Sequence, residues 1–411
     1  MSAPTRHARP WRRPMVGRDP DEQHRASTPL ELLFDLTFVV AVAQVSAELA
    51  HAIVDGSDVG GAVVSYLMTF FAIWWAWVNF TWFASAYDSD DVPYRLLTLL
   101  QMLGVLILAS AVPQLFEHHD FTWGVIGYVV MRIALVGQWL RAAAGDPAHR
   151  TTARRYAVGV TAVQVGWVAF LAVPQDWQLP AFVVLAALDM LVPVWAERTA
   201  VTPWHSEHIA ERYGLFVIIV LGECVLGATA AVQQTLQGSE GLSVALAVTG
   251  AGGLLLVFAV WWLYFLWPFP DALDRDSGRI FAWGYVHYGV FAALAALGSG
   301  LEVAAETLGH HEPTGSHGGP DPTSAWALAI PVAAFLLMLT LLGRVVAMTT
   351  TADVVAKCGA ALVTLAVPLL VPGLPWVVLL VAAPVVALDA RGVWQQHRAH
   401  RLSSQDAGIT G

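Results

Sequence analysis

The sequence is poor in charged residues, which make up 13% of its 411 positions, against about 25% in an ordinary soluble domain. Hydrophobic residues make up 57%, a surplus that needs a non-aqueous solvent. Between Thr28 and Arg391 the sequence is mostly apolar. Apolar runs of about 20 residues, long enough to cross a bilayer, follow one another there with short breaks. The composition therefore excludes a single soluble core and predicts an all-α, polytopic transmembrane bundle.

Cysteine is scarce too, since only Cys224 and Cys358 occur and both lie in apolar runs. This excludes a disulfide framework and a cysteine-based zinc site. No nucleophile elbow, Walker loop or dinucleotide fingerprint stands in a suitable context. His205, His208 and Glu211 follow at three-residue steps, without the four-residue histidine spacing of a zinc protease. We therefore predict no catalytic residue, metal or cofactor, and no nucleic-acid partner.

A cleavable signal peptide is also absent. Residues 1–27 hold six arginines, from Arg6 to Arg25, and contain no apolar segment followed by a small-residue cleavage site. We expect a disordered basic leader on the cytoplasmic side. The remainder is predicted to form a first six-helix repeat at 28–200, a second at 201–392 and a cytoplasmic tail at 393–411.

Twelve apolar stretches are predicted to be membrane-spanning helices, because lipid leaves no partner for free backbone groups. They are 29–53, 61–86, 94–114, 121–141, 155–173, 179–197, 208–232, 241–267, 279–303, 323–347, 352–371 and 374–391. The loops near residues 56, 117, 176, 237, 313 and 372 contain no Lys or Arg, whereas the alternate loops hold nearly all of them. By the positive-inside rule this predicts a bacterial plasma-membrane protein with both termini in the cytoplasm.

An internal repeat is predicted from two similar segments about 180 residues apart. The second span carries Trp74-Trp75 and is followed by acidic residues and Arg95, and the eighth carries Trp261-Trp262 and is followed by acidic residues and Arg279. The acidic residues are Asp88, Asp90 and Asp91 in one segment and Asp271, Asp274 and Asp276 in the other. Because each half holds an even number of spans, the two repeats would be parallel, as in some transporters. Recurring aromatic belts and acidic loops are the alternative explanation.

Ionisable residues within the spans indicate functional positions, because burying their charges in lipid is costly. Arg132 and Asp189 lie roughly 13 and 12 Å from the inner ends of their spans, so they are predicted partners. They form either a structural ion pair or a charged part of a permeation route. Lys357 follows Asp353 by four residues, an order that favours a helical ion pair, and is discounted as a site.

Glu223 lies near the bilayer centre, roughly 18 Å beyond Glu211. His287, about 12 Å beyond Arg279, is its nearest partner by depth, and the two could bind a proton or a cation. The alternative for His287 is a packing role. In the first span, Glu31 and Asp35 share one helical face. They complement the positive N-terminal end of the helix or form a site, and the first explanation fits Glu31 better than the deeper Asp35.

Three motifs resemble those of one bacterial family. Leu30–Val39, reading LELLFDLTFV, Glu211–Glu223, reading ERYGLFVIIVLGE with Arg212 second, and Tyr285–His287, reading YVH, are similar to motifs of the low temperature requirement A (LtrA) proteins. The departures are Leu33 in place of a Phe and Cys224 where Ser or Ala is usual. The resemblance covers about residues 25 to 395. It implies a multi-pass bacterial membrane protein linked by name to growth in the cold, and gives a phenotype without a mechanism.

The first span is also similar in spacing, through Asp35, Phe38, Ala41 and Glu48, to the first helix of a six-plus-six-helix potassium channel family. That family's Ser is absent, because Phe34 directly precedes Asp35, so the likeness implies no potassium filter.

The leading hypothesis is a transporter or channel for an ion, proton or small solute, with Asp35, Glu223 and His287 along its path, and with no enzymatic activity. Its expected partners are the lipid bilayer and that ion or solute. A membrane sensor or scaffold without a substrate is the alternative. A second alternative is an intramembrane enzyme acting on lipids, in which Glu31, Asp35 and Glu211 would face one lateral cleft.

Overall fold

The computed structural model describes residues 11–19, 22, 25–56, 58–237, 244–270, 273, 277–309 and 322–409. Within these ranges the chain forms twelve long helices and no β-strand. The helices are α1 (Pro29–Val54), α2 (Val59–Tyr87), α3 (Val92–His118), α4 (Thr122–Gly145), α5 (Arg150–Phe170), α6 (Gln175–Ala196), α7 (Ser206–Gln237), α8 (Val244–Phe265), α9 (Ile280–Gly309), α10 (Pro322–Val345), α11 (Thr351–Leu370) and α12 (Leu374–Ile409).

Each predicted span coincides with one of these helices, which confirms the helical membrane bundle. Over the residues described, ten helices are long and apolar enough to cross a bilayer. The other two are α5, which begins with Arg150 and soon reaches Arg154 and Arg155, and α7, which contains four charged residues. The last helix, α12, continues past the predicted span through residues expected to form a tail.

Several helices begin at side-chain caps that satisfy free backbone N–H groups. At the start of α1, Thr28 and Glu31 bond reciprocally, with Thr28 N donating to Glu31 Oε2 over 2.7 Å and Glu31 N donating to Thr28 Oγ1 over 3.3 Å. Thr350 and Asp353 form the same capping box at α11. Asp91 caps α3 by accepting from Tyr94 N over 2.9 Å. These caps place carboxylates at helix N-termini, where the helix dipole favours them.

The chain divides into two compact units. Unit 1 comprises residues 1–45 and 68–213, and unit 2 comprises residues 46–67 and 214–411. This division differs from the predicted boundary at residue 200. The first quarter of α7 belongs with unit 1, and the end of α1, the following loop and the start of α2 belong with unit 2. The duplication remains a prediction, and Asp271, Asp274 and Asp276 of its second copy lie outside the described residues.

In unit 1, α3 packs on α4, α4 on α5, and α5 on α6. The first contact is close because two glycines face each other: a Cβ on Gly104 would lie 2.6 Å from the Gly127 carbonyl oxygen, and one on Gly127 would lie 2.6 Å from that of Gly104. On its outer side α3 exposes Leu96, Leu99 and Leu103. An exposed leucine stripe of this kind fits a lipid-facing surface.

In unit 2, α9 packs on α10, α10 on α11, and α11 on α12, while α12 also packs on α8. The part of α1 in this unit contacts α9 through Ser46 and Ser299, whose hydroxyl groups bond to backbone carbonyls of the opposite helix over 3.3 and 2.8 Å. Tyr66 of α2 donates to Ala292 O over 2.6 Å. Hydroxyl groups thus find backbone acceptors inside an otherwise apolar packing.

The predicted leader is partly ordered, which corrects the expectation of disorder for the residues described there. Met15 and Arg25 are buried. The Arg25 guanidinium donates to Ser85 O and, over 2.6 Å, to Ala84 O, the otherwise unbonded carbonyl groups in the last turn of α2. Arg13 N donates to Asp91 Oδ2 over 2.8 Å. A basic composition suggested solvation, but cations are also the natural partners of a helix C-terminus.

Candidate functional site

Two carboxylates near the start of α1 meet a guanidinium near the start of α7 in unit 1. Arg212 Nη2 donates to Asp35 Oδ1 over 2.6 Å, and Arg212 Nη1 lies 3.2 Å from Glu31 Oε1. His208, one helical turn before Arg212, places Nε2 3.1 Å from the same Glu31 oxygen. We refer to Glu31, Asp35, His208 and Arg212 as the charge cluster.

The charge cluster is held by residues of α2. Trp77 Nε1 donates to Asp35 Oδ1 over 2.7 Å, and Arg212 Nη2 also donates to Thr81 Oγ1 over 3.3 Å. The Phe80 ring lies between these two positions along the helix and faces the guanidinium, with its centroid 5.9 Å from Arg212 Cζ. Three helices therefore fix the positions of the two carboxylates and the guanidinium.

The cluster is fully enclosed but incompletely bonded. Glu31, His208 and Arg212 are each 0% exposed and Asp35 is 2% exposed. Among the described residues, no hydrogen-bond partner is found for Asp35 Oδ2, Arg212 Nε or His208 Nδ1, and the contacts of Glu31 Oε1 are ion-pair contacts without hydrogen-bond angles. Since an unsatisfied buried polar atom costs about 1–3 kcal/mol, the cluster has spare capacity to bind a proton, an ion or water.

Arg132 and Asp189 are brought together as predicted. Arg132 Nη2 lies 3.4 Å from Asp189 Oδ1, and Trp167 Nε1 donates to Asp189 Oδ2 over 2.8 Å. The guanidinium also lies over the Tyr128 ring, 4.8 Å from its centroid. Equal depth in the fourth and sixth spans was sufficient to find this pair. Its bonding favours a structural role.

The predicted pairing of Glu223 with His287 is wrong, because the two residues lie at different positions along their helices. The Glu223 side chain lies against Gly298 of α9, where a Cβ would be 3.3 Å from Glu223 Cγ. His287 precedes Gly298 by eleven residues, about 16 Å along a helix. Depth estimated from helix ends therefore misjudged which residues of α7 and α9 lie side by side.

His287 is instead part of an aromatic packing region in unit 2. Its ring is fully buried, with Nε2 3.1 Å from Tyr264 Oη and Nδ1 2.8 Å from Trp283 O. The Trp283 ring centroid lies 4.2 Å away. With both ring nitrogens engaged, the packing explanation for His287 is the one that its contacts favour.

Glu211 and His205 do not join the charge cluster. Glu211 is exposed, and its Oε1 accepts from Ser27 N over 3.4 Å. His205 Nε2 lies 2.7 Å from Glu22 O, and its Nδ1 accepts from His208 N over 3.4 Å. The single lateral cleft expected to hold Glu31, Asp35 and Glu211 is therefore not formed, since the first two are enclosed and the third points outward.

Acidic residues beside the cluster lie in the loop that follows α2. Burial, together with the charge of Glu31, raises the pKa of Asp88 to about 6. Burial alone would raise the pKa of Asp91, yet bonds from Arg13 N, Tyr94 N and Arg141 hold it below its usual value. The loop therefore carries one carboxyl group that takes up a proton under mildly acidic conditions and one that stays ionised.

Sequence reasoning missed the α2 side of the cluster. Trp77 and Thr81 lie in an aromatic segment that resembles a lipid-interface belt, and no signal set these two apart except their spacing of four residues, which places them on one face. Lys357 was predicted to form an ion pair with Asp353 and was therefore discounted as a site, but the described residues show no such pair. Asp353 Oδ1 instead accepts from Arg391 over 2.8 Å.

Comparison with known proteins agrees with the motifs at the cluster. The family model described as bacterial low temperature requirement A protein (LtrA) matches residues 26–390. RA0937, an uncharacterized protein of Rhizobium meliloti (strain 1021), is 30% identical over 253 residues. That alignment covers 59% of this chain and 59% of the relative.

Proposed function

The chain belongs to the bacterial low temperature requirement A (LtrA) family, and from that premise we propose that it is a membrane transport protein for an ion or small solute. In this proposal the charge cluster takes up and releases a proton or a small cation during transport. The observation that supports this proposal is the balance of charges within the cluster. Glu31 and Asp35 supply two negative charges, whereas Arg212 supplies one positive charge and a neutral His208 supplies none. Arg25 and Asp88, which both interact electrostatically with Glu31, add one charge of each sign and leave the excess unchanged.

The excess charge is what makes the cluster suitable for exchange. An uncompensated charge in such an enclosed place costs several kcal/mol. One proton, on His208 or on a carboxylate, restores neutrality, and so does a bound monovalent cation. Asp35 Oδ2 and His208 Nδ1 are among the cluster atoms for which the described residues offer no hydrogen-bond partner, and they are the positions at which we expect the exchanged species.

A flux assay in proteoliposomes tests this proposal. Purified protein is reconstituted with a trapped dye sensitive to protons, sodium or potassium, and the gradient of the corresponding ion is imposed in each case. We expect wild-type protein to dissipate at least one gradient, and Asp35→Asn to slow that flux about tenfold or more, the effect of losing one charge-assisted contact. Glu211→Gln is the matched control, because it removes a nearby carboxylate that is exposed.

Two outcomes would contradict transport. One is correctly folded wild-type protein that moves none of the three ions, and the other is Asp35→Asn protein with wild-type flux. Folding is checked by size-exclusion chromatography, which separates a lost activity from a lost structure.

A scaffold function is the second candidate, and the complete enclosure of the cluster favours it. In this case the charges only hold α1, α2 and α7 together. Growth of a deletion strain at low temperature distinguishes the two. Asp35→Asn keeps the shape of the side chain, so a scaffold restores growth with this variant, whereas a transporter that depends on the Asp35 charge does not.

A further inference from the structure

A second polar region lies in unit 2, far along the chain from the charge cluster. A cavity of about 230 Å³ is found where α8 ends, α11 begins and α12 passes. Its polar lining consists of Asp353, Lys357, Arg391, Gln395 and Gln396, with Trp267 beside them.

Lys357 is the only lysine among the 411 residues, beside 20 arginines. It is 4% exposed, and within the described residues its Nζ has no hydrogen-bond acceptor. The Trp267 ring offers a cation–π contact, with its centroid 4.1 Å from Nζ. Such a contact offsets only part of the free-energy cost of burying an ion.

The neighbouring carboxylate of Asp353 is bonded to other groups and forms no close ion pair with Lys357. Asp353 accepts from Thr350 N over 3.1 Å, from Thr350 Oγ1 over 2.7 Å and from Arg391 over 2.8 Å. Gln395 donates to the same carboxylate over 3.3 Å. With two cations and one occupied anion in its lining, the cavity carries one positive charge in excess.

We propose that this cavity binds an oxyanion of the phosphate type, supplied either as free phosphate or as the phosphodiester of an anionic lipid headgroup. Lys357 Nζ contributes three N–H donors from inside the cavity, and Arg391 contributes a second cation at its wall. The ammonium group acts as a compact point charge, and the planar guanidinium presents N–H donors that match the oxygens of a phosphate. The excess positive charge of the lining attracts the anion.

Native mass spectrometry of the full-length protein in phosphate-free detergent tests this proposal. The probes are inorganic phosphate, phosphatidylglycerol and, as a zwitterionic reference, phosphatidylcholine. We expect wild-type protein to retain one phosphate or one phosphatidylglycerol, and Lys357→Met to weaken that binding about tenfold, the effect of losing one bond to a charged group. Arg344→Gln is the matched control, because it removes an exposed cation of the same unit that does not line the cavity.

The two sources give different results. Binding of inorganic phosphate indicates a free anion, and selective binding of phosphatidylglycerol over phosphatidylcholine indicates a lipid headgroup. The proposal is overturned if wild-type protein binds neither probe, or if Lys357→Met binds as tightly as wild type.

A measurement on the wild-type protein keeps the test independent of the variant's folding. Because Lys357 is the sole lysine, an amine-directed reagent modifies only this side chain and the N-terminal amine, which serves as internal reference. Anion binding should slow modification of Lys357 and leave that of the N-terminal amine unchanged. Equal rates with and without both probes would overturn the proposal.

Discussion

At the scale of single residues, Arg212 is the cation that compensates both carboxylates of the charge cluster. Its guanidinium contacts Glu31 and Asp35, and all three side chains are buried. Removing either carboxylate leaves one negative and one positive charge, which still balance. Removing the guanidinium leaves two enclosed carboxylates 0% and 2% exposed. Loss of Arg212 should therefore lower the stability of the protein more than loss of Glu31 or Asp35.

We predict that Arg212→Met destabilises the protein by about 3–5 kcal/mol, the usual cost of breaking a buried ion pair by removing one partner. Asp35→Asn should cost far less, because the amide oxygen can still accept from Trp77 and the remaining charges balance. Thermal unfolding in detergent measures both. Equal melting temperatures for the two variants would contradict this ranking, and Glu211→Gln again serves as the surface control.

Residue pairs could be predicted only where the depth of each residue in the membrane, estimated from its position in the span, was enough to identify both partners. Arg132 and Asp189 lie in nearby spans of the same unit, and their equal distance from the inner ends located the pair. Arg212 and Asp35 are 177 residues apart, and helix rotation, which depth does not specify, decides whether they meet. The same missing information led to the incorrect pairing of Glu223 with His287.

At the scale of elements, the contact of α3 with α4 depends on backbone proximity at Gly104 and Gly127. A side chain at this position has no space, since a Cβ on Gly104 would also lie 2.5 Å from Met131 Cγ. Small residues allow helices to approach closely in membranes, where packing replaces the hydrophobic effect as the main attraction.

We predict that Gly104→Ala destabilises the protein by about 1–3 kcal/mol through overpacking. Gly137→Ala is the matched control in α4, because its new Cβ would lie 3.6 Å from Leu97, an ordinary contact. Alanine is also favoured over glycine in helices by about 1 kcal/mol. A lower melting temperature for the first variant and an unchanged or higher one for the second would agree. A lower melting temperature for Gly137→Ala than for Gly104→Ala would show that α3 and α4 are not in close contact at Gly104.

Helix positions followed directly from the apolar runs, because twenty apolar residues have few other stable arrangements in lipid. Helix ends were harder. The leader residues around Arg25 cover the end of α2, and α12 extends beyond its apolar stretch. Both features depend on specific bonds, such as Arg25 to Ala84 O, which composition does not reveal.

At the scale of the whole molecule, the orientation in the membrane remains a prediction from the positive-inside rule. We expect the loop between α3 and α4 to face outward and the loop between α6 and α7 to face the cytoplasm. Asp120 and Thr199 are exposed residues in these two loops.

Cysteine labelling in intact cells checks this orientation. In a Cys224→Ser, Cys358→Ser background, a membrane-impermeant maleimide should label Asp120→Cys directly and Thr199→Cys only after permeabilisation. Labelling of Thr199→Cys in intact cells would invert the topology. Wild-type Cys224 is buried, so removal of the native thiols mainly eliminates background from Cys358.

The joining of α1 to α7 also has a consequence for synthesis in the cell. Glu31 and Asp35 enter the membrane with the first helix, but His208 and Arg212 are made 177 residues later. At translation rates of 5–20 residues per second, this delay is about 10–35 s. During that interval five further helices emerge before the counter-charge does. Completion of the α1 environment is therefore a late event of biogenesis, and the nascent chain depends on water, lipid headgroups or the insertion machinery to solvate its first two acids.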